Sequence, residues 1–278
     1  MKLACVQMTT GCDPVDNLPI MEARIRAAHA AGAQFIALPE TCHFMEAGRK
    51  AMRARLVGEA ESAALQHMQK LAAELAVHLL LGSMVLADEA SDKAVNRSLL
   101  LTPQGAVAAR YDKIHMFDVT LADGETHAES ASYQAGDKAV LAPLGDVTLG
   151  MSICYDLRFP QLYRRLAQAG ADIISVPSAF TVPTGRAHWH VLLRARAIET
   201  GAYIVAPAQI GAHENGRKTY GHSLIVDPWG QVIAEAAEDD EFIVADMDPA
   251  LVREARAQIP ALAHGRRFTL PDGGHADD

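Results

Sequence analysis

VTLGMSICYDLRFPQLY, residues 147–163, has the pattern of a buried strand followed by a turn and a helix. Its first half is mostly apolar with Ser152 as an interruption, which is typical of a strand covered on both faces. In its second half, Leu162 and Leu166 recur at helical spacing. The pattern therefore predicts that Cys154 lies at a strand-to-helix turn.

Cys154 is a candidate nucleophile because of this position. A helix N-terminus favours the thiolate, and the backbone N–H groups that follow can bind an oxyanion. The alternative is a packed core cysteine, since free cysteine is among the most buried residue types. The stretch by itself leaves both interpretations open.

Length and composition favour one large domain. The chain has 278 residues, half of them hydrophobic, and a formal charge of −9. We expect a single α/β domain over residues 1–270 and a disordered tail over residues 271–278. The negative charge and the lack of a Lys/Arg cluster argue against a nucleic-acid partner. No apolar run has membrane-spanning length and MKLACVQM does not resemble a signal peptide, so we expect a cytoplasmic protein without a membrane partner.

Cysteine and histidine usage predicts free thiols and no metal site. Four cysteines in a chain without an export signal indicate a reducing compartment. No CxxC or HExxH pattern occurs, and His188 and His190 lack the spacing of metal ligands. The cysteines are Cys5, Cys12, Cys42 and Cys154.

Strands and helices alternate in the same order in both halves. In the first half, strands are predicted at residues 3–8, 35–38, 78–86, 95–101 and 106–111, and helices at 17–31 and 62–77. In the second half, strands are predicted at residues 147–153, 173–176, 203–208, 223–226, 232–235 and 242–246, and helices at 159–169, 187–200 and after Pro249. Two such halves predict two sheets face to face with helices outside, a four-layer αββα sandwich of the α/β class. The polar loop over residues 113–138 is long enough to indicate a functional role.

Three residues that follow predicted strands form an amide-cleaving set. Glu40, Lys113 and Cys154 are expected at one edge, because chemistry in layered α/β folds collects at strand ends. Cys154 would attack the carbonyl, Glu40 would carry the proton to the leaving amine, and Lys113 would stabilise the oxyanion. The alternatives are solvated side chains or a structural Glu–Lys ion pair.

Six segments, in chain order, resemble the nitrilase superfamily of carbon–nitrogen hydrolases, and in particular its Nit branch. They are LPET (38–41), YDKIHMFDV (111–119), ICYDLRFPQLYR (153–164), PSAFTVPTGRAHW (177–189), LLRARAIET (192–200) and GHSLIVDPWG (221–230). The resemblance implies the αββα fold, no metal or organic cofactor, and a homodimer or higher homo-oligomer. It also implies a catalytic triad of Glu40, Lys113 and Cys154, with Glu129 as a supporting carboxylate.

The resemblance further implies an amidase that cleaves deaminated glutathione to 2-oxoglutarate and cysteinylglycine through an acyl-enzyme. Alternatives are an omega-amidase acting on 2-oxoglutaramate or 2-oxosuccinamate, a carbamoyl-amide hydrolase, a nitrilase, and a scaffold without activity. The chain departs from the family pattern at Arg186, at His190, where glutamate is usual, and at residues 201–202. Substrate identity is therefore less firmly implied than reaction type.

Further residues near the predicted site carry two interpretations each. Arg158 is expected either to bind a substrate carboxylate or to brace the turn by pairing with Asp156 or Glu129. Thr184, predicted in a loop, either lines the pocket or belongs to a turn. Tyr155, next to the cysteine, is a supporting residue. Packed or interface positions are expected for Cys42, Trp189 and Trp229.

Overall fold

The first strand, β1 (Lys2–Val6), directs alternate side chains to opposite faces of a sheet. Leu3 and Cys5 belong to the apolar core shared with a second sheet, whereas Ala4 and Val6 belong to a core shared with helices. All four side chains are fully buried. The apolar run of this strand is therefore continuous because both of its faces are covered.

The structure is a computed structural model and describes residues 1–46, 48–88, 90–120, 124, 126–239, 241–269, 271 and 275–276. The first half contains β1, α1 (Pro14–Ala30), β2 (Phe35–Ala37), α2 (Arg49–Arg55), α3 (Ala63–Leu75), β3 (His78–Ala87), β4 (Ala94–Leu101), β5 (Val107–Asp112), β6 (Asp118–Thr120), β7 (Thr126–Ala128) and β8 (Tyr133–Gln134). The second half contains β9 (Val140–Leu144), β10 (Val147–Met151), α4 (Pro160–Gln168), β11 (Ile173–Ser175), α5 (Val182–Thr200), β12 (Tyr203–Ala206), β13 (Ile210–Ala212), β14 (Lys218–Tyr220), β15 (Leu224–Val226), β16 (Val232–Glu235), β17 (Phe242–Asp246), α6 (Pro249–Gln258), β18 (Phe268–Thr269) and β19 (His275–Ala276).

Two large sheets form the middle layers. The first has the order β17-β1-β2-β3-β4-β5, with β8 paired to β4, and the second has the order β16-β15-β12-β11-β10-β9. Helices α1 and α3 cover the outer face of the first sheet, and α4 and α5 cover that of the second. The predicted four-layer αββα sandwich is confirmed. Contrary to the prediction of one sheet per half, β17 pairs antiparallel with β1 and so ties the end of the domain to its first strand.

Helix α5 begins earlier than predicted. Thr184 and Gly185 lie in its first turns and not in a loop, so that prediction is wrong. Pro183 favours a loop when the sequence is read alone. In the structure it lies in the first turn of α5, where proline is compatible with a helix because its missing N–H is not needed. Gly185 is required for packing, since a Cβ at this position would lie 2.2 Å from the Tyr220 ring.

The region over residues 113–138 is more structured than a loop. It contains the β6–β7 hairpin, a 3-10 turn over Glu129–Ala131, and β8. Residues 121–123 and 125 lie outside the described part of the chain.

The expected C-terminal tail also lies mostly outside the described residues. Pro271 and the strand β19, which pairs with β18, are the parts of it that the structure describes. Within the described ranges, no helix combines the length and the apolar character that crossing a bilayer requires.

Candidate active site

Cys154 lies in a sharp turn directly after β10. Its φ of +47° falls in the left-handed region, which costs an L-residue about 1–2 kcal/mol. Its N–H donates to the Pro177 carbonyl oxygen at 2.9 Å. The next element is a 3-10 turn, Cys154–Arg158, and α4 begins at Pro160. The thiol is therefore not seated on the N-terminus of an α-helix, contrary to the sequence prediction.

A buried carboxylate holds this turn in place. Asp156 has no exposed surface, and its Oδ2 accepts hydrogen bonds from the Ile153 N–H at 2.8 Å and the Tyr111 hydroxyl at 2.6 Å. Its Oδ1 accepts from the N–H of His115 at 3.1 Å and contacts Nδ1 of the same residue at 2.7 Å. Four donor groups from both sheets thus converge on one side chain. We infer that Asp156 stabilises the strained conformation of Cys154.

The two sheets approach each other closely beside the cysteine. A Cβ at Gly82 in β3 would lie 1.8 Å from the Leu38 carbonyl oxygen and 2.6 Å from the Pro177 side chain. Only glycine fits this position. Gly82 packs between Leu38, which precedes Glu40, and Pro177, whose carbonyl oxygen accepts the N–H of Cys154.

Glu40, Lys113 and Glu129 form a buried ion cluster. The Nζ of Lys113 lies 2.8 Å from Glu40 Oε1 and 2.9 Å from both carboxylate oxygens of Glu129. Lys113 and Glu40 are 2% and 4% exposed, so water screens these charges little. The structure brings together the residues that the sequence predicted from separate strands.

Several groups that the sequence analysis missed orient this cluster. The side-chain amide of Asn96 donates to Glu40 at 2.9 Å and to Glu129 at 3.3 Å. The Phe117 N–H donates to Glu129 at 2.7 Å, and the buried Gln209 amide donates to the Glu40 carbonyl oxygen at 2.9 Å. Asn96 interrupts a hydrophobic strand, and that polar residue was the available signal.

Electrostatics assign protonation states to the cluster. Burial alone would lower the pKa of Lys113, but the adjacent charges of Glu129 and Glu40 raise it well above its usual value. Burial opposes the charged form of Glu40 as well, yet Lys113 keeps the pKa of this carboxyl below its ordinary range. Burial and the nearby Glu40 charge raise the pKa of Cys154, whose thiol hydrogen-bonds to that carboxylate. The resting site therefore holds a neutral thiol beside a carboxylate and an ammonium group, and the predicted thiolate character is wrong.

A cavity of about 560 Å³ opens onto the cluster. Its lining includes the predicted residues Tyr155, Arg158 and Thr184. The other lining residues are Glu40, Thr41, Phe44, Met45, Glu46, Asn96, Lys113, Phe117, Thr126, His127, Ala128, Glu129, Ser132, Tyr133, Cys154, Ala179, Phe180, Thr181, Asn215, Gly216 and Arg217.

Arg158 belongs to the wall of the cavity. Its guanidinium lies 5.4 Å from the Phe180 ring centre and 3.3 Å from Nδ1 of His188. Across the described residues it forms no ion pair with Asp156 or Glu129, so the bracing interpretation is wrong. Those carboxylates already accept hydrogen bonds from other donors.

The remaining predicted packing positions differ in exposure. Cys42 is fully buried, and burial raises its pKa to about 12, as a packed thiol requires. Trp189 is also buried and donates its indole N–H to the His222 carbonyl oxygen at 2.7 Å. Trp229 is 57% exposed and therefore is not a core residue.

Comparisons with known proteins identify the class of protein. The sequence model described as carbon-nitrogen hydrolase matches residues 2–257. The deaminated glutathione amidase of Synechocystis sp. (strain PCC 6803 / GT-S) is 41% identical over 265 residues, which cover 94% of this chain and 96% of that protein. The chain belongs to the carbon–nitrogen hydrolase family and is a hydrolase of carbon–nitrogen bonds.

Further relatives agree with the predicted branch. The deaminated glutathione amidase of Homo sapiens is 38% identical over 279 residues, covering 98% of this chain and 84% of that protein. The C. elegans NitFhit structure has a TM-score of 0.87 at 34% identity, and the match covers 95% of this chain and 65% of that longer chain. Saccharomyces cerevisiae Nit3, a member of branch 10 of the nitrilase superfamily, has a TM-score of 0.84 at 29% identity, with 94% of each chain covered. These similarities confirm the resemblance to the Nit branch.

Proposed function

We propose that this protein hydrolyses deaminated glutathione to 2-oxoglutarate and cysteinylglycine. The observation that carries the proposal is the convergence of Glu40, Lys113 and Cys154 in one cavity, in a chain whose curated relatives include proteins named deaminated glutathione amidase. Deaminated glutathione is an amide with a 2-oxo acid on one side of the scissile bond and a dipeptide on the other.

The acylation step transfers one proton and exchanges one bond. Cys154 Sγ attacks the amide carbonyl carbon while its proton moves to Glu40. The C–N bond then breaks as Glu40 passes that proton to the leaving nitrogen, and cysteinylglycine departs with an amino group. A thioester between Cys154 and the oxo acid remains.

Deacylation repeats the same proton transfers with water as the nucleophile. Glu40 accepts a proton from water as the water oxygen attacks the thioester carbonyl. The C–S bond then breaks, Glu40 returns the proton to the sulfur, and 2-oxoglutarate leaves. In both steps negative charge develops on the carbonyl oxygen. Lys113 and the backbone N–H of Tyr155, the residue after the nucleophile, are the proposed donors to this oxyanion.

Glu129 acts as a positioning residue. Its two oxygens both contact the Lys113 ammonium, and its Oε2 also accepts the N–H of Phe117. This arrangement fixes Lys113 between two carboxylates, so that the ammonium retains its charge after Glu40 is protonated.

Arg158 and Thr184 are the proposed binding residues for the oxo-acid side of the substrate. A guanidinium can bind a carboxylate with two parallel hydrogen bonds, and Arg158 reaches the cavity without an acidic partner in the described structure. The Thr184 hydroxyl lies 2.8 Å from that of Thr181 on the same wall, which orients it.

We expect a single domain over residues 1–270, a cytoplasmic location, and at least a homodimer. Support for the dimer comes from exposed apolar side chains on α5 and on the turn between β15 and β16: Val191, Ile198 and Trp229 are 68%, 56% and 57% exposed. Sedimentation velocity of the wild type and Ile198→Asp tests this, since the variant is expected to be monomeric. A monomeric wild type would contradict the dimer.

A product assay on a substrate panel tests the function. The panel contains deaminated glutathione, 2-oxoglutaramate, 2-oxosuccinamate, N-carbamoyl-β-alanine and an aliphatic nitrile. We expect kcat/KM for deaminated glutathione to exceed that for 2-oxoglutaramate by at least ~10-fold, or about 1.4 kcal/mol. Equal or better turnover of 2-oxoglutaramate would indicate an omega-amidase. Turnover of only a carbamoyl amide or a nitrile would exclude the proposed reaction.

A further inference from the structure

Arg217 is a cation of the same cavity that neither the sequence analysis nor the proposed mechanism uses. It lies between β13 and β14, where its N–H donates to Asn215 Oδ1 at 2.9 Å and its carbonyl oxygen accepts from His213 at 2.8 Å. Its Nη2 donates to the Ala179 carbonyl oxygen. These contacts hold the backbone at both of its polar groups and orient the guanidinium against the cavity wall.

The guanidinium of Arg217 is incompletely satisfied. Its Nε is buried without a hydrogen-bond partner, and the residue forms no ion pair within the described ranges. A buried N–H without an acceptor is unfavourable, and an arginine fork is suited to a carboxylate. The Nε–H can therefore donate to a further acceptor, and the positive charge of the guanidinium favours an anionic oxygen in that place.

The position of Arg217 favours the leaving-group side of the scissile bond. Its Nη2 donates to the carbonyl oxygen of Ala179, a residue of the cavity lining, and its positive charge helps to keep the pKa of Glu40 low. In the proposed mechanism Glu40 protonates the departing nitrogen, so groups near Glu40 face the leaving group. Arg158 instead contacts Phe180 and His188.

We propose that Arg217 binds the C-terminal carboxylate of a peptide leaving group and selects for it over ammonia. The inference rests on the proposed function and deepens it. Arg158 and Arg217 then match the two carboxylates of the substrate, one on each side of the amide.

The test compares leaving groups in Arg217→Gln. We expect kcat/KM for deaminated glutathione to fall by about 10–100-fold, because a charge-assisted hydrogen bond is lost, and kcat/KM for 2-oxoglutaramate to change by less than about 3-fold. The analogue with a C-terminal carboxamide should be a poor substrate of the wild type and should be insensitive to the substitution. Arg164→Gln is the matched control, since Arg164 also donates to a carbonyl oxygen, that of Ala261, outside the cavity.

Equal losses for both substrates, or equal wild-type turnover of the carboxamide, would overturn the role of Arg217. Calorimetry with Cys154→Ala separates this failure from that of the proposed function. If Arg217→Gln weakens the binding of intact deaminated glutathione to Cys154→Ala, the subsite is supported even where the wild type does not cleave the compound. Binding that is unaffected refutes it.

A second cluster lies outside the cavity lining and consists of His190, His222 and Glu235. The Oε1 of Glu235 lies 2.9 Å from His190 Nε2 and 2.8 Å from His222 Nδ1. All three ligand atoms fall within 4.8 Å of one another. Sequence spacing does not reveal the group, because Glu235 is 45 and 13 residues from the two histidines.

The backbone holds the two imidazoles toward each other. His222 has a φ of +57°, and its carbonyl oxygen accepts the indole N–H of Trp189, the neighbour of His190. The Tyr220 ring stacks on His222 with a centroid distance of 4.4 Å. The three side chains are 30–40% exposed, which leaves the cluster accessible to an ion and a water ligand.

We infer that this cluster binds a divalent transition-metal ion such as Zn²⁺. Two imidazole nitrogens and one carboxylate oxygen are ordinary zinc ligands, with bonds of about 2.0–2.2 Å. Tetrahedral ligand atoms are then about 3.3 Å apart, so the Glu235 oxygen, at 2.9 and 2.8 Å from the two imidazole nitrogens, needs only a small outward movement. The ion would join α5 to β16.

Calorimetry with Zn²⁺ on tag-free Cys154→Ser, which lacks the reactive thiol, tests this inference. One ion per chain should bind, and adding His190→Asn or Glu235→Gln should weaken binding by at least about 10-fold. His67→Asn is the matched control, because His67 contacts a single carboxylate, Glu22, at 2.6 Å. No stoichiometric binding, or equal weakening by the control, would show that the cluster is only a hydrogen-bonded group.

Discussion

Replacing Asp156 with asparagine tests whether this carboxylate holds the nucleophile turn. The substitution keeps the size of the side chain but converts one acceptor oxygen into an NH₂ group. Each oxygen of Asp156 accepts from one backbone N–H, that of Ile153 or His115, and contacts one adaptable group, the Tyr111 hydroxyl or the His115 ring nitrogen. An amide NH₂ can donate to the adaptable group, but the backbone N–H loses its acceptor and faces another donor. Asp156 is fully buried, so water cannot replace the missing bond.

The expected destabilisation follows from this geometry. An unsatisfied buried donor costs about 1–3 kcal/mol, so the variant should lose about that much stability. Globular proteins have unfolding free energies of about 5–15 kcal/mol, and the variant should therefore be destabilised but remain folded. Loss of the support for the strained Cys154 should also reduce kcat.

Urea unfolding and steady-state kinetics measure both effects. Asp172→Asn is the matched control. Asp172 Oδ2 accepts a single backbone N–H, that of Thr148, at a distance of 2.9 Å, and Asp172 does not line the cavity. We expect the control to lose at most about 1.5 kcal/mol, the net value of an ordinary hydrogen bond. If Asp156→Asn is no less stable than Asp172→Asn and keeps wild-type kcat, the reasoning about the turn is refuted.

Three further predictions concern the ion cluster and the adjacent Cys154. Because the pKa of Glu40 is below its usual value, its stabilising effect is complete above the unfolded pKa of about 4.3 and is lost as the pH falls through the folded value. The difference in unfolding free energy between wild type and Glu40→Gln should therefore shrink below about pH 4, and a flat difference would contradict it. Lys113→Met should lower kcat by about 10²–10³-fold because an oxyanion donor is lost, which steady-state kinetics measures. The same variant should lose about 3–5 kcal/mol of stability because Glu40 and Glu129 are left unpaired, which urea unfolding measures. Limiting iodoacetamide with peptide mapping should label Cys154 before the fully buried Cys5, and equal labelling of the two would refute the nucleophile assignment.

The sequence was sufficient for the layers and the three central residues. Buried strands in this fold are covered on both faces, so their apolar runs are continuous and easy to locate, as in β1 and β3. Glu40 and Cys154 each follow such a strand, and Lys113 follows the partly exposed β5, so their positions after predicted strands made their convergence predictable.

Other features depended on contacts that no local pattern encodes. Strand β17 follows the strands of the second sheet in sequence but pairs with β1 at the edge of the first sheet. This pairing joins segments that are far apart in sequence, so no local pattern predicts it. Arg158 was expected to pair with acidic neighbours in the sequence, whereas those carboxylates are occupied by Lys113 and Tyr111 from other strands. The pKa of Cys154 follows from burial and from Glu40, neither of which the turn sequence specifies.

The raised pKa of Cys154 places the activation of the nucleophile within the reaction and not in the resting protein. The cluster of Glu40, Glu129 and Lys113 carries one excess negative charge when both carboxylates are ionised. When the thiol proton moves to Glu40 and sulfur bonds to the substrate, negative charge leaves Glu40 and appears on the carbonyl oxygen. In the proposed mechanism both positions lie next to the Lys113 ammonium, so the charge is transferred within one buried site and its sum does not change. A preformed thiolate would add a further negative charge to this site, which explains why a neutral thiol hydrogen-bonded to Glu40 is the favoured resting state.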